Sequence, residues 1–303
     1  MPTPKRSHRR SGNLPEVLMR ANARRIVALM IVMGLTGAGL AQTIKLPNLA
    51  DSVKFAVLGD FGNGERAQYE VAEQMSAARA AFPFDMVLAL GDNMYGRQQP
   101  QDFVVKFDQP YARLLAAGVR FYATLGNHDR PDNRNYPAYN MAGRRYYTFV
   151  RSAVRFVVLD TNMMEPQQLA WADQTLAAAT EPWKIVYFHH PLYSNGGRHG
   201  SNIELRVALE PLLVKHGVSV VFTGHEHIYE RSKPQKGITY FVAGSGGQLR
   251  RGDAHIGATT AAAFDQDRAF MLVEIAAESM VFQTISRTGA IVDSGVIARR
   301  RIS

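Results

Sequence analysis

The 303-residue sequence contains no cysteine. This absence excludes disulfide bonds, a thiolate nucleophile and a cysteine-ligated zinc site. The folded chain must therefore be stabilised by its apolar core and by any metal it binds. Apolar residues make up 46% of the sequence, which is enough for a sizeable core, and the length allows one large α/β domain or two small ones.

The body of the chain also lacks a net charge, although the whole sequence carries +9. Residues 1–41 contain seven lysines and arginines against one glutamate, and residues 299–301 are three arginines. The remaining 25 basic and 25 acidic residues, in 42–298, cancel. Because the positive excess is confined to the two ends, the charge does not indicate a nucleic-acid interface, and we expect no nucleic-acid partner.

The N-terminal apolar run is short for a membrane span, which needs about 20 apolar residues. It reads IVALMIVMGLTGAGLA (26–41) and follows a basic stretch. The small residues Gly39 and Ala41 have the spacing that signal peptidases prefer. We therefore predict an export signal over 1–41, either a cleaved signal peptide or an N-terminal anchor, and a single domain over 42–303 that is periplasmic or secreted. Stable membrane insertion is expected only if the segment is uncleaved. The pair Arg24-Arg25 leaves the general secretory and twin-arginine routes both open.

Apolar runs alternate with helical patterns along most of the remaining chain, which predicts a layered α/β fold. Five of the runs end in polar residues. These predicted strands are KFAVLGD (54–60), FDMVLALGD (84–92), VRFYATLGNHD (119–129), WKIVYFHH (183–190) and VSVVFTGHEH (218–227). Helices are predicted over 65–81, 101–117, 165–179 and 204–217, a hairpin over 146–161, and further strands over 239–247 and from 269 to about 297.

The polar clusters all fall just past the carboxyl ends of predicted strands, where open α/β sheets bind their ligands. Carboxylate, phenol, amide and imidazole groups together suit two adjacent Fe, Mn or Zn ions. Two such ions, about 3.5–4 Å apart, can clamp both oxygens of an in-line displacement, so the natural chemistry is phosphoester hydrolysis by metal-bound hydroxide. The clusters are Asp60 with Gly62, Asp92 with Tyr95, Asn127-His128-Asp129, His189, and His225 with His227.

Each of these residues has an ordinary explanation when taken alone. Asp60 could cap a helix, and Tyr95 or His189 could simply pack. Their coincidence at five strand ends favours one metal site over five separate explanations. His190, by contrast, is expected to pack at the edge of the core. The arginines of NMAGRR (140–145) and QLRRG (248–252) are expected to be solvated.

The motifs GDFG, GDNMY, GNHD, VYFH and GHEH resemble, in order, the five signature blocks of purple acid phosphatases. These enzymes belong to the calcineurin-like metallophosphoesterase superfamily. The resemblance covers roughly residues 53–247 and is closest to the small, tartrate-resistant branch. It implies a four-layer α/β/β/α sandwich with mixed sheets, with the metals at the carboxyl ends of the strands, and a catalytic domain over 42–303.

The resemblance also implies a role for each site residue. Iron(III) would be held by Asp60, Asp92, Tyr95 and His227, and the second ion, Fe, Zn or Mn, by Asp92, Asn127, His189 and His225. Asp92 would bridge the two ions. His128 would bind phosphate and aid the leaving group, Asp129 would orient His128 through a hydrogen bond, and His199 would help to position the phosphate.

Tyr95 distinguishes this chain within the wider superfamily. Most of those relatives have a histidine two places after the first aspartate, where this chain has Gly62. The resemblance implies that Tyr95 replaces the missing ligand. A phenolate is a hard anionic donor that favours a trivalent ion, so a visible charge-transfer band is expected.

Three functions remain open at this stage. The leading prediction is an acid phosphatase that hydrolyses small phosphate monoesters. The same metals would also serve a phosphodiesterase that acts on nucleotides or phospholipid head groups, and the loops 130–145 and 194–203 would decide between the two. A non-catalytic metal-binding protein is disfavoured because His128 and Asp129 are both present. The sequence leaves the second metal and the oligomeric state undetermined.

Overall fold

The computed structural model describes residues 44–301. The export signal predicted over 1–41 lies outside the described residues. Within the described part, the helices are all too short or too polar to cross a membrane.

Residues 44–301 contain thirteen strands arranged in two mixed sheets. In chain order they are β1 (Val53–Leu58), β2 (Met86–Ala89), β3 (Arg120–Ala123), β4 (Tyr147–Arg151), β5 (Val154–Val158), β6 (Trp183–Tyr187), β7 (Val220–Thr223), β8 (Tyr229–Ser232), β9 (Thr239–Ala243), β10 (Thr260–Phe264), β11 (Ala269–Ala276), β12 (Ser279–Ser286) and β13 (Ile291–Ala298). One sheet has the order β13-β12-β11-β1-β2-β3, and the other has the order β10-β8-β9-β7-β6-β5-β4. The hairpin predicted over 146–161 is confirmed, since β4 and β5 pair antiparallel.

The two sheets pack face to face through large aromatic side chains. The Phe55 ring of β1 lies 5.5 Å from the Phe156 ring and 6.2 Å from the Phe222 ring, both on the other sheet. Alternate residues such as Val186 and Val221 point the opposite way, into a second apolar cluster beneath the helices. Strands buried on both faces need apolar side chains in both directions, which explains the continuous apolar runs of the sequence.

Helices cover the outer faces of the two sheets. They are α1 (Arg66–Ala81), α2 (Pro100–Phe103), α3 (Ala112–Ala116), α4 (Pro166–Ala178) and α5 (Ile203–Lys215). Helix α1 contacts β11 of the six-stranded sheet, whereas α4 and α5 pack on the seven-stranded sheet. The layers therefore run helix, sheet, sheet, helix, and the predicted α/β/β/α sandwich with mixed sheets is confirmed.

The continuous helix predicted over 101–117 is wrong. The segment forms α2, a π-helical turn at Val104–Asp108 and α3. Pro110 has no N–H to donate to the Lys106 carbonyl, as a regular helix would require. Gln68 Nε2 donates to that carbonyl instead, at 2.6 Å. A tertiary hydrogen bond has thus replaced a helical one.

Two strands, β8 and β10, were not predicted, because their sequences lack the expected apolar alternation. In β8 the alternation is broken by Glu230, which is charged although its carboxylate is buried. It accepts hydrogen bonds from the Asn195 backbone N–H (2.8 Å) and from the hydroxyls of Ser194 (3.0 Å) and Thr260 (2.8 Å). A charged residue can occupy a buried strand position when its oxygens are paired in this way.

Parallel pairing brings the carboxyl ends of the central strands to one edge. Strands β1, β2 and β3 run parallel in one sheet, and β5, β6, β7 and β9 run parallel in the other. The two edges meet, because the backbone N–H of His225, after β7, donates to Asp60 Oδ2, after β1, at 2.9 Å. Groups that follow strands of both sheets therefore share one site.

Candidate metal centre

The five polar clusters predicted from the sequence converge at this edge. The His128 backbone N–H donates to Asp92 Oδ1 at 2.8 Å, joining the loops after β3 and β2. The His189 ring, after β6, bonds the Leu90 carbonyl at the end of β2 through Nδ1, at 2.9 Å. The clusters of both sheets are thus linked by direct hydrogen bonds.

Three of the converging residues have a left-handed backbone, with φ of +56° at Asp60, +49° at Asp92 and +73° at His225. This conformation costs a non-glycine residue roughly 1–3 kcal/mol and persists only where the surroundings enforce it. Each of the three directly follows a strand-terminal glycine. The sharp turn redirects each side chain from the strand into the space between the two sheets.

The glycines in these motifs are required by close contact. A Cβ at Gly126 would lie 2.2 Å from Asp92 Oδ1, and a Cβ at Gly224 would lie 2.3 Å from Asp60 Oδ2. Each of these glycines thus makes room for the carboxylate of a neighbouring loop. The glycines that precede Asp, Asn and His in these motifs are therefore required by packing, because several polar side chains approach one point.

One part of the site brings several polar side-chain atoms close together. His189 Nε2 lies 3.1 Å from Asn127 Oδ1, 3.2 Å from His225 Nδ1 and 3.4 Å from Asp92 Oδ1. The His189 tautomer that donates from Nδ1 to the Leu90 carbonyl leaves a lone pair on Nε2, facing these atoms. These four side chains therefore fit a cation, which would satisfy all of the converging lone pairs.

The other part contains the tyrosine. Tyr95 Oη lies 3.1 Å from both Asp60 Oδ1 and His227 Nε2, and those two atoms are 3.5 Å apart. The single phenolic proton can satisfy only one of the two neighbours. Burial and the charges of Asp60 and Asp92 raise the pKa of Tyr95, so a phenolate would need a cation beside it. The arrangement fits a hard cation held by oxygen and imidazole ligands.

The imidazoles are held in their neutral, ligating form. Burial lowers the pKa of His225 to about 2 and that of His227 to about 4, and neighbouring positive groups add to the effect. The same burial raises the pKa of Asp60 above its usual range. A cation bound among these groups would stabilise the ionised form of the buried carboxylates and would bind the lone pairs of the neutral imidazoles.

Tyr95 and Gly62 depend on each other sterically. A Cβ at Gly62 would lie 1.7 Å from the Asn93 carbonyl oxygen, and the Tyr95 backbone N–H donates to the Gly62 carbonyl at 2.9 Å. A histidine at position 62 would collide with the loop that delivers Tyr95. Loop packing in this chain is therefore compatible with Tyr95 only when position 62 is a glycine.

His128 and His199 are exposed rings at the surface of the buried cluster. The His128 ring lies 4.7 Å from the Tyr95 ring, and the His199 ring lies 4.3 Å from the His225 ring, measured between centroids. Each therefore neighbours one part of the site while remaining open to solvent, as a group that meets a substrate must be.

Contrary to the prediction, Asp129 does not hydrogen-bond to the His128 ring. Its carboxylate accepts hydrogen bonds from the backbone N–H groups of Asn93 (3.1 Å), Met94 (3.0 Å) and Gly126 (2.9 Å), and from the side chains of Asn93 (2.9 Å) and Asn133 (3.3 Å). These donors occupy both of its oxygens. Asp129 therefore joins the loop after β2 to the loop after β3 and acts on His128 only through the backbone.

Glu226 was not singled out from the sequence, although it lies between the two histidines of GHEH. It is fully buried, and its Oε1 accepts hydrogen bonds from the backbone N–H groups of His199 (2.6 Å) and Gly200 (2.5 Å). It thereby fixes the loop that carries His199 against the segment that carries His225 and His227. A glutamate between two ligand positions was the only signal available.

His190 lies closer to the site than the sequence indicated. Its ring is 4.4 Å from the His225 ring and 4.9 Å from the His189 ring, and its Nδ1 is 2.8 Å from Thr161 Oγ1. The three histidines can direct ring nitrogens at a common point. That His190 packs without binding a metal stays a prediction, although its ring lies beside those of His189 and His225.

The arginines of the two arginine-containing segments are not all solvated. Arg250 Nη1 is buried and has no hydrogen-bond partner within residues 44–301. The Arg145 side chain is only 23% exposed and pairs with Asp160 (2.8 Å) and Glu165 (3.2 Å). Arg144, by contrast, is exposed as predicted.

Comparison with known proteins identifies relatives of this arrangement. The calcineurin-like phosphoesterase family model matches residues 53–229. Human tartrate-resistant acid phosphatase type 5 is 28% identical over 254 residues, which cover 68% of this chain and 78% of the human protein. Purple acid phosphatase 17 of Arabidopsis thaliana is 26% identical, over 67% of this chain and 70% of the plant protein.

Solved structures share the fold. Purple acid phosphatase PPD1 from yellow lupin seeds has a TM-score of 0.68 and 20% identity, over 84% of this chain and 55% of the lupin chain. GAP50, described as the anchor in the inner membrane complex of Plasmodium, has a TM-score of 0.69 and 18% identity, over 82% and 90% of the respective chains. Because one fold serves a phosphatase and an anchor, the fold alone does not assign a function.

Replacement of Gly224 by alanine should abolish metal retention, because the new Cβ would occupy the position of the Asp60 carboxylate. The measurement is elemental analysis of the purified variant. Gly118→Ala is the matched control: Gly118 also has positive φ, at +78°, but no atom lies within 4 Å of its Cβ. It should lose about 1 kcal/mol of stability and keep its metal. Wild-type metal content in Gly224→Ala would contradict the close-contact argument.

Acid should destabilise the metal-free protein partly through His190. Burial and the neighbouring His189 ring lower the folded-state pKa of His190 to about 3, against about 6.5 when unfolded. Between these values only the unfolded chain binds the proton. The stability of the folded state is therefore unaffected by His190 above pH 6.5, and protonation of His190 in the unfolded chain lowers it progressively as the pH falls towards 3.

Urea unfolding of chelator-treated wild type and His190→Asn, at about pH 7.5, 6 and 5, measures this effect. Wild type should lose more stability than the variant on acidification, by at most about 1.4 kcal/mol per pH unit. Other titrating groups are common to both proteins and cancel in the comparison. Parallel pH curves would show that His190 does not titrate in this way.

Proposed function

Because the chain belongs to the calcineurin-like phosphoesterase family and is thus a metal-dependent phosphoester hydrolase, we propose that it is an acid phosphatase acting on small phosphate monoesters. The observation that carries the proposal is the convergence of buried lone pairs at the meeting edge of the two sheets, beneath two exposed histidines. Acid phosphatases among its relatives support the same reaction class.

We propose that the converging side chains hold two metal ions. One set is Asp60, Asp92, Tyr95 and His227, which suits iron(III), and the other is Asp92, Asn127, His189 and His225, which suits Fe, Zn or Mn. Bound ions of this kind supply positive charge for the phosphoryl oxygens and acidify a water molecule. The neutral state of the buried histidines supports metal retention in acid, because His225 and His227 resist protonation down to about pH 4.

The exposed histidines are proposed to act on the substrate directly. His128 would donate a proton to the oxygen of the departing alcohol, since it is exposed beside Tyr95 and its backbone N–H is fixed on Asp92. His199 would contact the phosphate from the opposite side of the site. Asp129 and Glu226 would hold the two histidine-bearing loops in place through backbone N–H groups.

We also propose that residues 1–41 direct export of the catalytic domain over 42–303. N-terminal sequencing of the protein recovered from its producing cell tests this proposal. A mature N-terminus at Gln42 would support a cleaved signal, and an intact N-terminus in a membrane fraction would support an anchor. A cytosolic protein that starts at Met1 would contradict both.

The reaction is tested by turnover of an aryl phosphate monoester and of the matching diester by the metal-loaded protein, between about pH 4 and 9. The monoester should be strongly preferred, with an acid optimum. His128→Asn should lower kcat by about 10²- to 10⁴-fold, with less effect on KM, because a positioned general acid contributes that much. A diester preference would move the function to phosphodiesterase, and full turnover in the variant would remove His128 from the reaction.

The proposed tyrosinate ligand predicts a colour. Iron-loaded protein should show a visible charge-transfer band, and Tyr95→Phe should lose it while the fold, measured by circular dichroism, remains intact. Tyr69→Phe is the matched control, because the Tyr69 hydroxyl bonds the Val105 carbonyl (2.7 Å) and no predicted ligand, and it should leave the band unchanged. A band that survives in Tyr95→Phe would exclude Tyr95 as the ligand.

A further inference from the structure

A groove leads away from the metal centre on the side of the 130–145 loop. Its inner cavity, about 440 Å³, is lined by Asn127 and Asp129 and extends to Arg134 and Arg145. A second cavity, about 570 Å³, shares both arginines and extends to Trp171. The two cavities therefore form one groove. Its volume far exceeds that of a phosphate group and lies in the range of sites for sizeable small molecules.

The inner end of the groove borders the proposed site, because Asn127, a proposed metal ligand, lines it. The side chains on either side of His128 in the sequence, Asn127 and Asp129, both line it. In monoester hydrolysis a water oxygen forms a bond to phosphorus, the phosphorus–oxygen bond to the alcohol breaks, and that oxygen takes a proton. If the proposed function holds, a leaving group that departs past Asn127 enters this cavity, and free phosphate remains at the metal site.

The groove carries two positive charges that the protein does not neutralise. The Arg134 guanidinium donates only to backbone carbonyls, those of Gly143 (3.0 Å) and Pro131 (2.6 Å). The Arg144 guanidinium has no hydrogen-bond or ion-pair partner among residues 44–301. The carboxylates that line the two cavities have other partners: Asp160 and Glu165 bind Arg145, and Asp129 accepts hydrogen bonds from Asn93, Met94, Gly126 and Asn133.

The outer end of the groove is aromatic. The Tyr146 ring lies 4.9 Å from the Trp171 ring, and both side chains are half-buried. A planar apolar group can rest against such a pair, and a guanidinium beside it can bind a carboxylate or phosphate on the same molecule.

Resting on the proposed function, we infer that Arg134 and Arg144 form a specificity subsite for monoesters whose leaving group carries an anionic group of its own. The anion binds these arginines through charge-assisted hydrogen bonds, and the ring of the leaving group lies in the groove. Arg145, saturated by two carboxylates, serves as the fixed wall between the two cavities.

The test uses aryl phosphates that differ only in charge at a distance from the ester. They are 4-(carboxymethyl)phenyl phosphate and its neutral amide, together with the pair that is one methylene longer. The spacers keep the leaving-group acidity almost the same within each pair, so the ratio of kcat/KM, carboxylate over amide, reports recognition of the charge. For wild type we expect a ratio of about ten in at least one pair, the size of one charge-assisted hydrogen bond at a partly exposed site.

The ratio should fall towards one in Arg144→Gln and in Arg134→Gln. The Arg144 guanidinium makes no hydrogen bond or ion pair within residues 44–301, so Arg144→Gln should retain the fold even if Arg134→Gln disturbs the loop by losing its backbone contacts. Arg113→Gln is the charge-matched control, because Arg113 is exposed on α3, away from the groove, and should keep the wild-type ratio.

The outcomes separate this inference from the proposed function. Ratios near one in wild type for both pairs, or a ratio unchanged in Arg144→Gln and Arg134→Gln, would overturn the subsite while hydrolysis of the amides leaves the phosphatase assignment standing. Failure of the metal-loaded protein to hydrolyse any of the four esters would overturn both.

Discussion

The site depends on acceptor atoms, most of them buried, that are held together at one edge of the fold. Asn127 Oδ1 and Asp92 Oδ1 both lie within 3.4 Å of His189 Nε2, and Asp60, Tyr95 and His227 form a similar group beside them. Without a cation such an arrangement is unfavourable, as the shifted pKa values of its carboxylate, phenol and imidazoles show. The fold holds it in place because strands of both sheets end at the same edge.

Backbone contacts of two further carboxylates keep this arrangement rigid. Asp129 binds the loops that follow β2 and β3, and Glu226 binds the loop of His199 to the segment of His225. These contacts fix the backbone of the loops that carry His128 and His199. Side chains that act on a substrate need such support to stay in position. The strained backbone at Asp60, Asp92 and His225 serves the same end.

Much of the fold and site could be predicted from the sequence, because strand-end motifs are local and contacts at a shared sheet edge follow from parallel pairing. The layered α/β fold and the clustering of Asp60, Asp92 and His189 are of this kind, whereas the four-layer order was implied by the resemblance to purple acid phosphatases. The role of Asp129 could not be predicted, since it depends on donors from Asn93 and Met94, which lie 36 and 35 residues earlier in the sequence. The broken helix at Pro110 and the buried Glu230 likewise depend on tertiary hydrogen bonds. Leaving-group recognition at Arg134 depends on loop shape, which no short motif encodes.

A crystal structure of the metal-loaded protein, with anomalous scattering measured at the metal absorption edges, tests the central claim most directly. The account predicts two peaks about 3.5–4 Å apart, with the Asp92 carboxylate between them. One peak should lie within bonding distance of Tyr95 Oη and the other near His189 Nε2. A single peak, or peaks bound only by surface residues away from this cluster, would contradict the two-metal centre on which the proposed reaction rests.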